Sequence, residues 1–331
     1  MGTESLTTPR PRRLAPPLAA FALALLVALV LGVTFGATSI EWRALLSGDE
    51  TAQKIFFLIR LPRVLLAALV GATLAIAGVT FQTLLRNPLA DPFILGVSGG
   101  AAAGAAIATA TRLSLIPGAV PIVSFAGAIA AIGAVLVLAR RRDYTDPTRL
   151  LLSGLVLNAF FSAIILISFS LSRQSDLTAA LRWMMGSLFG ATWVEVSAMT
   201  LLLIVSLIVL AAIANDVRMF VFGEDDARSR GVNVERVKLV GFITASIVTG
   251  AAVAVSGIIG FVGLLVPHIV RLIVRRDIRA LLPLCAIGGA TLLVLADVLS
   301  RTLTPSAELP VGAFTALLGV PFFISLLRKS R

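Results

Sequence analysis

The sequence is poor in charged and in reactive side chains. Only 14% of its 331 residues are charged, and it has one cysteine, one histidine and one tyrosine. Soluble domains carry roughly 25% charged residues, so this composition excludes a soluble globular protein. A single cysteine excludes a disulfide framework and any metal site made of several cysteines. The sequence also lacks a G-x-x-x-x-G-K-[ST] phosphate loop, so we do not expect the chain to hydrolyse ATP itself.

The sequence is instead rich in long apolar segments. Hydrophobic residues make up 58% of the chain, and the mean hydropathy is +1.01. A membrane-crossing helix needs about 20 apolar residues, so there is material for nine or ten spans, all of them helical in lipid. The sequence therefore predicts an all-α, polytopic membrane protein. The long runs free of Asp, Glu, Lys and Arg are 14–40, 64–85, 92–111, 113–139, 150–172, 196–215, 239–270, 280–296 and 309–327.

The run at 239–270 decides the number of spans. Its 32 residues would form a helix of about 48 Å, whereas the hydrocarbon core is roughly 30 Å thick. Basic clusters at 218–238 and 271–279 flank the run, and lysine and arginine collect in cytoplasmic loops. Both ends of the run are therefore expected on the cytoplasmic side. This predicts two spans that turn near Ser256-Gly257, at least one of them short, and ten spans in all.

Threading ten spans also explains the net charge of +11. With the N-terminus inside, 20 of the 28 basic residues fall in the cytoplasm, which is the pattern of a membrane protein rather than of a nucleic-acid-binding protein. We therefore expect one transmembrane domain over 1–331. It would have a cytoplasmic tail at 1–13 and both termini in the cytoplasm.

Two segments of the chain resemble each other. Residues 71–88 align with residues 250–267 at a constant offset of 179, with six identities in 18 positions. The segments belong to spans 2 and 7, so the two copies would have opposite orientations. Inverted repeats are typical of transporters. Segments rich in alanine and glycine reach several identities by chance, so the alignment alone does not establish the repeat.

The spans contain few groups that could bind a coupling ion. Secondary transporters usually keep ionisable side chains within the bilayer. Here the span interiors hold none, and Glu195 and Asp297 lie at span ends. The sequence therefore favours a transporter energised by a separate ATPase subunit. The alternative is an ion-coupled secondary carrier or a channel that acts without an ATPase.

The longest charged cytoplasmic loop, 216–238, is the candidate contact with such a subunit. Its sequence FGEDDARSRGVNVERVK predicts two short helices. Three acidic residues favour a helix N-terminus, a glycine favours a helix end, and an asparagine can cap the next helix: Glu224, Asp225, Asp226, Gly231 and Asn233, in that order. An ordinary solvated loop is the alternative interpretation of the same residues.

A few polar or reactive residues remain inside the spans. Asn158 and Ser162 lie on one face of span 5 at i,i+4 spacing. Hydrogen bonds between helices and a polar pathway explain them equally well. His268 and Cys285 are interpreted as structural residues, so neither a metal site nor a catalytic site is expected.

The motifs of this chain resemble those of one transporter family. In order and spacing, and over residues 55–328, the sequence is similar to the FecCD-type permeases of ATP-driven importers for iron–siderophores, haem and cobalamin. The matching motifs are RLPR at 60–63, QTLLRNPLADPFILGVSGG at 82–100, WMMGS at 183–187, GIIGFVGLLVPHIVRL at 257–272, LADVLSR at 295–301 and ELPVGAFTALLGVPFFISLL at 308–327.

This resemblance implies an architecture and a set of partners. It implies a permease subunit of ten helices in the bacterial inner membrane, which forms its pathway with a second copy of itself or with a homologous permease. It also implies a cytoplasmic ATPase dimer, which would use ATP and magnesium, and an extracytoplasmic substrate-binding protein. The permease itself would bind no cofactor. Iron–siderophore complexes rank ahead of haem and cobalamin only because they are the commonest substrates of the family.

The resemblance also assigns roles to residues in the cytoplasmic loops. It implies that the loop between spans 6 and 7 docks on the ATPase, where the family usually has A-x-x-L-G and this chain has Arg230 in place of the leucine. It places Asn87 and Leu89 in an inner gate loop after span 2. Pro147 and Thr148 fall in a second gate loop, and Asn158 and Ser162 would line the pathway. The docking residues are Glu224, Asp225, Ala227, Arg228, Arg230 and Gly231.

Three arginines lie at the outer ends of spans 2 and 9. An outer arginine can simply extend to lipid headgroups. The resemblance instead implies that Arg60, Arg63 and Arg301 pair with acidic residues on the two lobes of the binding protein. We therefore expect these three arginines on the outer side of the membrane, where the binding protein docks.

Overall fold

The protein folds into a bundle of α-helices. The computed structural model describes residues 15–36, 42–93, 95–140, 147–220, 223–274, 278–304 and 308–329, so the predicted tail at 1–13 lies outside the described residues. The helices are α1 (Ala15–Thr34), α2 (Trp42–Leu46), α3 (Glu50–Lys54), α4 (Leu61–Leu84), α5 (Val97–Ala110), α6 (Ala119–Ala139), α7 (Pro147–Leu171), α8 (Gln174–Met184), α9 (Trp193–Met219), α10 (Glu224–Ser229), α11 (Val234–Ser256), α12 (Val262–Ile273), α13 (Ile278–Thr302) and α14 (Val311–Lys329).

Ten of these helices match the ten predicted spans. Among the described residues, seven helical segments are long and apolar enough to cross a membrane. They are α1, α6, α7, α9, α11, α13 and the continuous segment Glu50–Leu84, which includes α4. The other three apolar helices are α5, α12 and α14, which are shorter. The predicted all-α, multi-span architecture is therefore confirmed.

The predicted hairpin at 239–270 is also confirmed. Helix α11 ends at Ser256, and Gly257 has a positive φ of 67°, a conformation that favours glycine. The chain then continues without regular structure until α12 begins at Val262, and α12 has only 12 residues. One of the two spans is thus much shorter than the bilayer is thick.

Helix α4 is the centre of the bundle, and glycines let its neighbours approach closely. It packs against α1, α9, α11, α12 and α13. A Cβ atom on Gly71 would overlap the carbonyl of Gly289 in α13, and one on Gly78 would overlap that of Gly263 in α12. Small residues at such crossings allow van der Waals contact between backbones, which stabilises helix pairs in lipid.

The helix packing has the pattern of an inverted repeat. Helix α4 packs on α12 and α13, and its counterpart α11 packs on α5 and α6. In the first half of the chain, α5, α6 and α7 contact one another in pairs. Their counterparts in the second half, α12, α13 and α14, do the same. The aligned glycines agree with this exchange, because Gly71 abuts α13 while Gly250 abuts Ala128 in α6. The packing therefore supports the repeat that the sequence alignment suggested.

The short helix α5 follows an irregular segment that contacts the middle of α7. The charge-free run at 92–111 is helical only from Val97, where α5 begins, and the residues before α5 form a loop. This loop contacts α7 far from its first residue: Gly96 lies against the carbonyl of Gly154, and Phe93 binds Asn158. Asn158 is 11 residues beyond Pro147, a depth of about 16 Å at 1.5 Å per residue.

Candidate functional site

The segment between α9 and α11 forms the predicted helical elbow. Helix α10 has its three acidic residues in the first turn, where they complement the helix dipole. The backbone N–H of Gly231 donates to the carbonyl of Arg228, and that of Val232 donates to the carbonyl of Ala227. With a φ of 83° at Gly231, these two bonds form a Schellman motif. The predicted helix start, helix end and glycine are therefore confirmed.

The elbow is tied to α11 by a cap and by ion pairs. The side chain of Asn233 accepts a hydrogen bond from the N–H of Arg236, so the predicted cap of α11 is confirmed. Lys238 Nζ lies 2.7 Å from Glu224 Oε2 and 3.9 Å from Glu235 Oε1, and the Lys238 side chain is only 6% exposed. A buried ammonium with two carboxylates beside it holds α10 against the start of α11.

The elbow has an inner apolar face and an outer charged face. Ala227, which the resemblance assigned to the docking segment, is completely buried against the permease itself. Arg228 links the two helices, since its guanidinium lies 3.5 Å from Asp225 and 3.8 Å from Glu235. The exposed residues that a partner could contact are Asp225, Asp226, Arg228, Ser229, Arg230, Gly231 and Asn233.

The predicted inner gate loop begins with a second Schellman motif. Arg86 adopts φ of 50°, and the N–H of Asn87 donates to the carbonyl of Gln82. The side chain of Asn87 then accepts a bond from the N–H of Leu89 at 2.9 Å. Leu89 is 45% exposed, so the loop presents an apolar side chain at its tip.

Gln82, which the sequence analysis did not assign, joins the end of α4 to α12. Its amide Nε2 donates to the carbonyl of Gly263 at 3.2 Å, and its Oε1 accepts from Arg271. Gln82 is buried, so its polar atoms need these partners. The sequence motifs at 82–100 and 257–272 gave no indication that Gln82 and Arg271 are in contact.

The residues expected around α7 have separate environments. Helix α7 begins at Pro147, whose side chain lies outside the described residues, and Thr148 is exposed beside it. Asn158 does not simply face an open pathway, because its Nδ2 donates to the carbonyl of Phe93 at 2.9 Å. Ser162 is exposed and donates to the backbone carbonyl of Asn158 within its own helix.

The three arginines that were predicted at the outer ends of spans 2 and 9 are buried within the permease. Arg60, Arg63 and Arg301 are only 5–6% exposed. Arg60 donates to the carbonyls of Val33 and Thr34, and Arg301 donates to that of Gly32. These are among the last carbonyls of α1, which lack partners within that helix. Two arginines therefore cap α1 and hold it to the bundle.

Asp297 is the centre of this buried network. The sequence analysis placed it at a span end, whereas the structure buries it completely in α13. Its carboxylate lies 3.0 Å from both Arg63 and Arg301, and Arg63 also binds Glu308 at 2.8 Å. Both carboxylate oxygens of Asp297 face arginines, so this acidic group is committed to ion pairs. The i,i+4 spacing of Asp297 and Arg301 was the only sequence signal for it.

Three of the sequence motifs meet at one junction. The N–H of Ser187 donates to the carbonyl of Ser256 at 2.8 Å, and the N–H of Val311 donates to the carbonyl of Gly186 at 3.1 Å. A Cβ atom on Gly257 would overlap the carbonyl of Trp183, near the end of α8. The segment after α8, the turn after α11 and the start of α14 are thus joined through backbone contacts that glycine permits.

His268 and Cys285 have the surroundings of structural residues. His268 packs edge-on against Phe322 and Phe323, which joins α12 to α14. Cys285 is completely buried in α13, where it acts as a small apolar side chain.

Comparisons with known proteins agree on one family. The model of the FecCD transport family matches residues 23–329. The cobalamin import system permease protein BtuC of Halobacterium salinarum is 45% identical, over 84% of this chain and 74% of that protein. The hemin transport system permease protein HmuU of Yersinia pestis is 40% identical, over 94% of this chain and 95% of that protein.

A solved structure has the same fold. It shows an inward-facing conformation of a metal-chelate type ABC transporter, and it superposes with a TM-score of 0.84 at 30% identity. The superposition covers 96% of this chain and 100% of that chain.

Proposed function

Because the chain belongs to the FecCD transport family, we propose that it is the membrane-spanning permease subunit of an ATP-driven importer for metal chelates. Two copies would form the translocation pathway between them, and a cytoplasmic ATPase dimer would supply the energy. The observation that carries this proposal is the elbow at 223–233. Its apolar side is packed on the permease and its charged side is exposed, as a docking element requires.

The electrostatics of the bundle support an external source of energy. Asp297, the fully buried acidic residue of α13, is neutralised by two arginines that each lie 3.0 Å from its carboxylate. An ion-coupled carrier needs an ionisable group that can change its occupancy within the bilayer. Among the described span residues, Asp297 is therefore a poor candidate for that role, which disfavours the secondary carrier.

The substrate class follows from the relatives. Their names specify cobalamin and hemin, and the solved structure is of metal-chelate type. These ligands share one chemistry, a metal ion enclosed by an organic ligand, and iron–siderophore complexes belong to it. We place an iron–siderophore complex, haem or cobalamin in this pathway. Binding of each of the three to the cognate binding protein identifies the substrate, and binding of none of them contradicts this assignment.

An extracytoplasmic binding protein would dock at the ends of α4 and α13. The arginines there already use their donors within the permease, so their contribution is to hold this surface in shape. Direct pairing with the binding protein would require them to leave these partners, at the cost of uncompensated buried charge.

Co-purification with the cognate ATPase tests the docking role of the elbow. Reversing the exposed charges, with Asp225→Lys and Arg228→Glu together, should abolish co-purification while the permease still reaches the membrane. Arg112→Glu is the matched control, because Arg112 is exposed at the opposite end of the bundle. If the double variant retains the ATPase as well as the control does, the elbow is not the docking element.

A further inference from the structure

The bilayer restricts where an irregular backbone such as the loop at 85–96 can lie. Its second half lies beside α7 at a depth of about 16 Å from the start of that helix. Non-helical backbone at membrane depth is tolerated only where its N–H and C=O groups find partners. The loop therefore needs polar side chains to satisfy its backbone.

Two side chains meet this need at one residue. The N–H of Phe93 donates to Asp91 Oδ1 at 2.8 Å, and its carbonyl accepts from Asn158 Nδ2 at 2.9 Å. The same carbonyl accepts a longer bond of 3.4 Å from the N–H of Gly96. Asp91 belongs to the loop itself, whereas Asn158 belongs to α7, so the Asn158 bond links two separate parts of the fold.

The surrounding glycines are arranged to admit this bond. A Cβ atom on Gly99 would overlap Asn158 Oδ1, and one on Gly96 would lie 3.3 Å from the carbonyl of Gly154. Gly154 and Asn158 are four residues apart and thus on one face of α7. That face is seated against the loop and the first turn of α5, and the carboxamide of Asn158 fills the space that Gly99 leaves.

We propose that Asn158 is a positioning residue that fastens the re-entrant loop at 85–96 to α7. This proposal rests on the proposed function in so far as the loop carries the gate residues Asn87 and Leu89. The Asn158 carboxamide donates a hydrogen bond to the loop backbone. A displacement of α7 would therefore move the loop through this bond. The polar face of span 5 is thereby divided, with Asn158 assigned to the loop and Ser162 to its own helix.

Electron paramagnetic resonance of a nitroxide on the loop tests this proposal. The label is placed at Leu89→Cys, an exposed position, in the permease alone in lipid nanodiscs; the native Cys285 is fully buried. In Asn158→Leu the side chain has a similar volume but no hydrogen-bond donor. The spectral lines should narrow in this variant, because the rotational correlation time of the nitroxide becomes several-fold shorter. Ser162→Ala is the matched control and should leave the spectrum unchanged, because the Ser162 hydroxyl donates to a backbone carbonyl of its own helix.

Further variants separate a loss of the anchor from a loss of folding. A second label at Leu115→Cys, exposed and remote from the loop, should report the same mobility in every variant. If Asn158→Leu does not reach the membrane, Asn158→Ser removes the same bond with a smaller side chain. An unchanged Leu89 spectrum in a folded Asn158 variant overturns the proposal. The measurement uses neither ATPase nor substrate, so its outcome is independent of the proposed function.

Discussion

Lys238 Nζ lies 2.7 Å from Glu224 Oε2, which joins the first residue of the elbow helix to the second turn of α11. Glu224→Gln should weaken this joint by about 1–3 kcal/mol, because it removes the carboxylate that lies 2.7 Å from a buried ammonium. We expect reduced ATPase co-purification and a lower unfolding temperature. Glu50→Gln is the control, since that side chain lies outside the elbow, is 81% exposed, and its pair with Lys54 contributes little.

A double variant checks the origin of this effect. Glu224→Gln combined with Lys238→Met removes both charges, so it should recover part of the lost stability. Equal stability of Glu224→Gln and the parent would show that the ion pair does not hold the elbow.

Gly231 should tolerate asparagine but not valine. Nothing lies within 4 Å of the position its Cβ would occupy, so the effect is conformational and not steric crowding. At φ of 83°, valine should cost about 1–2 kcal/mol, whereas asparagine visits this region readily. We expect Gly231→Val to lose ATPase-stimulated transport and Gly231→Asn to retain it. If both variants behave alike, the left-handed turn is not required for coupling.

Asp297 should be essential to the buried ion-pair network that it forms with Arg63 and Arg301. Asp297→Asn leaves Arg63 and Arg301 buried together without their shared carboxylate, and breaking a buried pair costs about 3–5 kcal/mol. Denaturant unfolding in lipid–detergent micelles measures this loss. Glu308→Gln should cost less, because its side chain is 36% exposed. A stable Asp297→Asn protein would contradict the network as described.

The close helix crossings should be sensitive to a single methyl group. Gly78→Ala places a Cβ against the carbonyl of Gly263, so α4 and α12 must separate and lose stability. Gly133→Ala in α6 is the matched control: nothing lies near its Cβ position, and alanine favours the helix by about 1 kcal/mol. Similar unfolding temperatures for both variants would exclude the proposed crossing.

The number of spans and the elbow were predictable because they depend on local patterns. Charge-free length and flanking basic residues fixed the hairpin around Ser256, and helix-ending chemistry identified Gly231. The loop before α5 was not predictable, since an uncharged run gives no sign that its first part leaves the helix. The burial of Arg60 was missed for another reason: its partners are backbone carbonyls of α1, some 26 residues away in sequence, and backbone acceptors leave no pattern in the side chains.

Uptake into proteoliposomes tests the central claim that this permease is powered by a separate ATPase. Vesicles contain the permease with or without its cognate ATPase, and the cognate binding protein is added outside with labelled cobalamin, haemin or a ferric siderophore. The account predicts uptake only with the ATPase and internal ATP, and no loss when the pH gradient is collapsed. Uptake by the permease alone, driven by a pH gradient, would contradict it.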